Sequence, residues 1–116
     1  MNTTIDGRLF EWDDEKNKLN KIKHGINFKT AAKVFNDPYR FESYDNEHSQ
    51  DEERWKVTGM VDNILVVIYT TRGNELDERI RLISAREATP LEEEDYYGYR
   101  NLLLAEGRTV DGGGEN

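Results

Sequence analysis

Cysteine is absent from this chain of 116 residues, so it can build neither a disulfide framework nor a thiolate zinc site. Histidine is nearly absent. His24 and His48 stand far apart, which argues against a histidine-rich metal site, and neither a metal nor another cofactor is expected. Long apolar runs are missing as well: the longest, Ile64 to Tyr69, falls far short of the roughly 20 residues that cross a bilayer. Residues 1–4 lack the charged and apolar regions of a secretory signal, so the expected location is the cytoplasm, with no membrane partner. There is no phosphate-binding glycine loop, no H-E-x-x-H and no G-x-S-x-G. Excess positive charge is also lacking. The net charge is −8, the opposite of the usual footprint of a nucleic-acid binder.

What is present is unevenly distributed. Lys16, Lys18, Lys21, Lys23, Lys29 and Lys33 follow one another with no acid between Lys16 and Phe35. Acids dominate from Asp37 to Glu53, and again from Glu87 to Asp95. A basic face on an acidic body is one reading; a solvated lysine-rich helix is the other. The length fits a single domain, here residues 1–106, with 107–116 a flexible polar, glycine-rich tail.

Local patterns give an element order. Residues 1–7 look like a loose lead-in, and residues 8–12 a short strand. Asp13 suits an N-cap, with Asp14 and Glu15 in the first turn, and Gly25 suits the left-handed position that ends the helix. Leu19 and Ile22 supply its apolar stripe. Asn27 caps a second helix that stops at Asn36-Asp37-Pro38, making a helical hairpin. Short strands are then expected at 39–43, 54–61, 64–71 and 79–86, with 64–71 apolar on both faces as a central strand is. Thr89 and Pro90 open a last helix with Leu91, Tyr96, Tyr99, Leu102 and Leu103 available to pack. The fold class is α+β: an N-terminal short strand and a helical hairpin packed on a three- to four-stranded antiparallel sheet, then a C-terminal helix.

Arg54 and Lys56 fall on one side of their strand. Arg79 and Arg81 face away from Ile80, Leu82 and Ser84 on another. With the apolar strand between them, both cation rows can line one surface suited to phosphate. The competing reading pairs them with local acids such as Glu78. RNA cleavage without a metal needs a base, cations and an acid. His24, His48, Glu53, Tyr96, Tyr97 and Tyr99 are the titratable groups on hand. His24 also fits a plain role at a helix end, and His48 lies in an acidic loop.

Five stretches taken together resemble one family: F-E-W-D (10–13), N-x-x-K-H-G-I-x-F (20–28), A-x-x-V-F-x-D-P (31–38), H-S-x-x-E-E-R (48–54) and R-L-I-S-A-R-x-A-T (81–89). In order and over about residues 9–97, they look like the BrnT toxins of type II toxin–antitoxin systems. The resemblance implies a RelE-like fold and a metal-independent endoribonuclease that inhibits translation. It implies a small cognate antitoxin that neutralises the toxin, and an RNA substrate, free or ribosome-associated. Operator DNA would be reached only through the antitoxin. The polar motif positions carried over are Lys23, His24, His48, Glu53, Arg54, Arg81 and Arg86. Arg54, Arg81 and Arg86 are expected to meet phosphate charge. His24 or Glu53 is expected to serve as base or acid, with Tyr97 as an alternative; Lys23, Lys56 and Arg79 would bind RNA. The acidic net charge leaves a second expectation open, a non-catalytic toxin-fold module acting through its antitoxin.

Overall fold

The computed structural model describes residues 1–107; the expected tail lies outside the described residues from position 108 onward. Two strands, β1 (Asn2–Ile5) and β2 (Arg8–Glu11), open the chain as an antiparallel hairpin. The expected loose lead-in is therefore a strand. Asp6 and Gly7 both take positive φ, 51° and 84°, the pairing a two-residue hairpin turn needs and an Asp-Gly dipeptide supplies.

Helix α1 (Asp14–His24) starts where Asp13 accepts from the amides of Glu15 and Lys16, and it ends at Gly25 with φ 74°. Helix α2 (Phe28–Ala31) is capped by Asn27 and runs straight into a 3-10 turn over Ala32–Asn36. Both expected N-caps and the glycine stop are thus found, but the second helix is a short composite. Strands β3 (Phe41–Tyr44), β4 (Trp55–Val61), β5 (Asn63–Arg72) and β6 (Arg79–Glu87) follow, then α3 (Pro90–Ala105).

The sheet has six strands in the order β1-β2-β6-β5-β4-β3, not three or four. It is mixed rather than antiparallel, because β2 joins β6 in parallel through Phe10 with Ile80 and Glu11 with Arg81. Parallel neighbours need a long crossover, and local alternation carries no signal for it. Here the crossover is everything from Trp12 to Glu78.

One sheet face holds the core. Phe10, Val57, Val67, Leu82 and Ala85 meet Trp12, Phe28, Val34 and Phe35 from the helical segment. Gly59 lets that segment approach: a Cβ there would stand 3.1 Å from the Val34 carbonyl oxygen. The core residues of β4, β5 and β6 face one another in register, as Val57, Val67 and Ala85 do. The other face carries α3, whose Tyr96 is buried and donates to Asp37, a carboxylate that also accepts from the Met60 amide at 2.8 Å. Burial and the Asp37 bond push the Tyr96 hydroxyl well above its ordinary pKa, so it stays a donor.

Two helices orient differently from the sequence pattern. On α1 the inward side chain is Asn20, 7 % exposed, while Leu19 and Ile22 are 56 % and 81 % exposed. On α3, Tyr96 and Leu103 turn in, and Leu91 and Leu102 remain exposed. Asn20 is held because its amide does backbone work. Its Nδ2 donates to the carbonyls of Ile26 (2.8 Å) and Ala85 (2.9 Å), and its Oδ1 accepts from the Ala85 amide (3.1 Å). Strand β2 pairs with β6 only at Ile80 and Arg81. Beyond that point the Asn20 side chain takes the place of a neighbouring strand, satisfying buried groups that would otherwise cost free energy.

Candidate functional site

The face opposite the core collects the cations of the strands. Arg54 precedes β4 and Lys56 lies within it; Arg79, Arg81 and Arg86 belong to β6. The register joins them into cross-strand rows. Lys56 sits beside Ile68, and Ile68 beside Ser84. Thr58 sits beside Val66, and Val66 beside Arg86. Thr70 lies beside Arg81, and Arg81 beside Glu11. Neighbouring strands are about 5 Å apart, so β4 and β6 are about 10 Å apart across β5, while Arg79 and Arg86, opposite Arg72 and Val66, lie about 20 Å apart along the strand.

Strict alternation would have split this set. Arg81 and Arg86 lie five positions apart and by strict alternation should point to opposite faces. A register shift opposite Ile68 and Tyr69 leaves Ile83 without a partner, since Tyr69 pairs with Leu82 and Ile68 with Ser84. This bulge returns Arg86 to the side of Arg81. It also moves Ser84 off the core side where alternation had put it. The register thus puts Lys56, Arg79, Arg81 and Arg86 on one sheet face, with Arg54 just before β4 and Lys56 beside Glu92 and Asp95 of α3.

Each arginine of the face is held by a carboxylate. Buried Glu11 takes both Arg79, through its Nε, and Arg81, through Nη1 at 2.6 Å. Burial alone would raise the Glu11 pKa, but the hydrogen bonds and charges of the two arginines outweigh it and hold it below the usual range. Arg79 is raised in turn, chiefly by its bond to Glu11. Arg86 makes a two-pronged contact with Glu92, at 2.7 and 2.9 Å. That contact, stronger than the opposing burial, lowers Glu92 to about 2. Glu92 also closes the capping box of α3 with Thr89. Arg54 lies 3.5 Å from Glu52, which also accepts from Arg72 at 3.0 Å, and the Arg54 Nε is buried without a hydrogen-bond partner. The pairing expected as the plain alternative is therefore present, with Glu11, Glu92 and Glu52 rather than Glu78 as the partners. Of these, Glu92 had a readable sequence signal, the T-x-x-E of a capping box.

The end of α1 reaches this strand. Lys16, Leu19, Asn20, Lys23 and His24 line a shallow groove of about 200 Å³ with Ile83 and Ser84 of β6. His24 and Lys23 are exposed, and the groove opens on the segment between Arg81 and Arg86. Glu53 is exposed; its carbonyl accepts from Thr70 Oγ1 at 2.7 Å. Tyr97 is 44 % exposed and stacks edge-on against Tyr96. His48 is held by a neighbouring carboxylate: its Nδ1 lies 2.5 Å from Asp45 Oδ2, in a loop whose Asp45 amide donates to the Arg54 carbonyl at 2.9 Å. Among the described residues, Asp45, Glu47 and His48 form a group whose ligand atoms lie within 4.8 Å of one another and which could hold a cation. No described helix is long and apolar enough to cross a membrane.

Such a face offers fixed guanidinium groups to phosphate oxygens, and a histidine at its border offers a proton-transfer group. Residues 12–92 match the profile of a family described as "Ribonuclease toxin, BrnT, of type II toxin-antitoxin system". No curated protein matches the chain.

Proposed function

The chain belongs to this BrnT family of ribonuclease toxins, and from that premise we propose that it is a metal-independent endoribonuclease whose cation face binds the scissile phosphate and whose activity inhibits translation. The observation that carries the reading is the common sheet face of Lys56, Arg79, Arg81 and Arg86, with Arg54 just before β4 and the groove of Lys23 and His24 opening on β6. In this reading one of His24 and Glu53 takes the proton of a ribose 2′-hydroxyl, and that oxygen attacks phosphorus. The bond to the 5′-oxygen breaks, and a second group protonates the leaving oxygen. A 2′,3′-cyclic phosphate and a 5′-hydroxyl result. The arginines stabilise the charge that grows on the phosphate oxygens, a contribution that is large in a preorganised site.

The RelE-like fold implied by the sequence motifs suits an α+β chain with a helical segment over one sheet face. The RNA is either free or bound to the ribosome, and the protein works in the cytoplasm. The cognate antitoxin neutralises it and carries the complex to operator DNA.

The test is expression alone and with the antitoxin, followed by RNA integrity and growth. Cleavage and arrest with the toxin alone, insensitive to EDTA and abolished by the antitoxin, are the expected result. Intact RNA from folded protein, with ribosomes also supplied, would refute the catalytic reading. A second reading, a toxin fold that acts only by binding its antitoxin, is favoured by the net charge of −8 and by the carboxylate on each arginine of the face. It predicts tight antitoxin binding with no cleavage.

A further inference from the structure

Resting on the reading of this chain as a toxin with a protein antitoxin, we propose that the outer face of α1 seats an acidic, amphipathic segment of that antitoxin, with Ile22 as its apolar anchor point. Ile22 is 81 % exposed, and Leu19, three residues before it on the same face, is 56 % exposed. Ile22 borders a shallow groove of about 380 Å³ with Asn17, Lys18, Lys21 and Asn27. Among the described residues none of Lys16, Lys18, Lys21 and Lys23 forms an ion pair, whereas each arginine of the sheet face has a carboxylate.

An apolar side chain flanked by exposed lysines that form no ion pair fits one kind of occupant. RNA gains little from an exposed isoleucine, and this helix face has neither aromatic rings nor arginines for stacking on bases. A second copy of the chain, docked face to face, would set the lysines of one α1 against those of the other. An acidic segment with an aliphatic residue satisfies both parts at once: the apolar pair forms a small dry centre and the carboxylates meet the lysine rim. Leu19 also lines the neighbouring groove with Lys23, His24 and Ser84. A segment lying over Ile22 and Leu19 therefore abuts the edge of the cation face and obstructs RNA there, which gives neutralisation a steric basis.

The experiment uses the full-length protein and, as the antitoxin, the purified product of a small open reading frame found next to its gene, with affinity read by biolayer interferometry and folding by thermal midpoint. Ile22→Asp should weaken binding at least about 30-fold, as an anchor at the centre of an interface does. The double change Lys18→Glu and Lys21→Glu should weaken it at least about tenfold and flatten its salt dependence. If the wild type binds and both variants, folded, stay within about threefold of it, the proposal is overturned while the toxin–antitoxin reading stands. If the wild type itself does not bind the antitoxin, that reading fails and takes the proposal with it. If antitoxin affinity holds while either variant loses a fluorescent RNA oligonucleotide, or turns a dimer into a monomer by light scattering, the face belongs to RNA or to a second copy, and the proposal is wrong.

Discussion

The arginines of the sheet and the lysines of α1 are both cations on an acidic protein, but they are held in opposite ways. On the sheet, one buried glutamate takes Arg79 and Arg81, Glu92 grips Arg86 with two hydrogen bonds, and Glu52 lies beside Arg54. On α1 the lysines are exposed and form no ion pair, though Asp13 feels the charge of Lys16, and they stand around an exposed isoleucine. The planar guanidinium fork suits fixed geometry, and the flexible ammonium suits long-range attraction. The difference separates positioning from attraction. A carboxylate-held arginine is preorganised for a phosphate but must share its charge, while a free lysine contributes field without geometry.

The largest effect should come from the positioned set. Arg81→Ala should lower RNA cleavage about a hundredfold or more, at the scale of losing one preorganised donor. Its stability cost should stay under about 1 kcal/mol, because Glu11 keeps Arg79. Cleavage assayed beside a urea melt checks this, and unchanged cleavage would make the arginines purely structural.

Next in size is the link between the two regions. Asn20→Ala strips the partners from the buried Ala85 amide and carbonyl and should destabilise the fold by about 2–3 kcal/mol, read from the denaturation midpoint. A smaller loss would mean water replaces the amide.

The Arg86–Glu92 pair should show in the pH dependence. Glu92 is depressed from 4.5 to about 2 in the folded state, so the unfolded chain binds its proton first as pH falls. The stabilisation is fully present above about pH 4.5 and disappears between there and about pH 2. Glu92→Gln should flatten that window and cost about 1 kcal/mol at pH 7, part of it from the capping box. An identical acid melt for the variant would show that the pair contributes nothing.

The smallest effect should be at Ile22. Despite its apolar side chain, Ile22→Ser should shift stability by no more than about 0.5 kcal/mol, since the residue is already in water. A loss of several kcal/mol in thermal melts would put Ile22 in the core and erase the contrast with Asn20.

Much of the fold was readable locally. Asp13, Asn27 and Thr89 cap the helices they were expected to cap, and Gly25 ends α1 in the left-handed conformation. The apolar run of β5 announced a central strand, and β5 lies between β4 and β6. Strand β1 was legible too: Thr3, Thr4 and Ile5 favour a strand, and Asp6-Gly7 is a strong hairpin signal. The expectation of a loose lead-in over residues 1–7 passes over that signal, and the structure forms β1 there. The stripe on α1 misled for a different reason. Leu19 and Ile22 have the spacing of a buried face, but the place beside β6 needed an amide to pair with Ala85, and asparagine occupies it. No periodicity announces a buried polar group whose partner lies 65 residues away.

The candidate site divides in the same manner. Side-chain chemistry alone determined that arginines and lysines would be the cations, that capping groups would frame the helices, and that β5 would lie between the two arginine-bearing strands. Those are properties of residue types and of periods two and 3.6, which act over a few neighbours. Only the tertiary structure decided that β2 would lie parallel to β6 and bring Glu11 onto Arg79 and Arg81. It alone decided that a bulge at Ile83 would turn Arg86 to the face of Arg81. Both depend on pairing between distant segments, where the extra residue is accommodated by the partner strand rather than by its own neighbours, so the sequence around Arg86 carries no mark of the side on which it will stand.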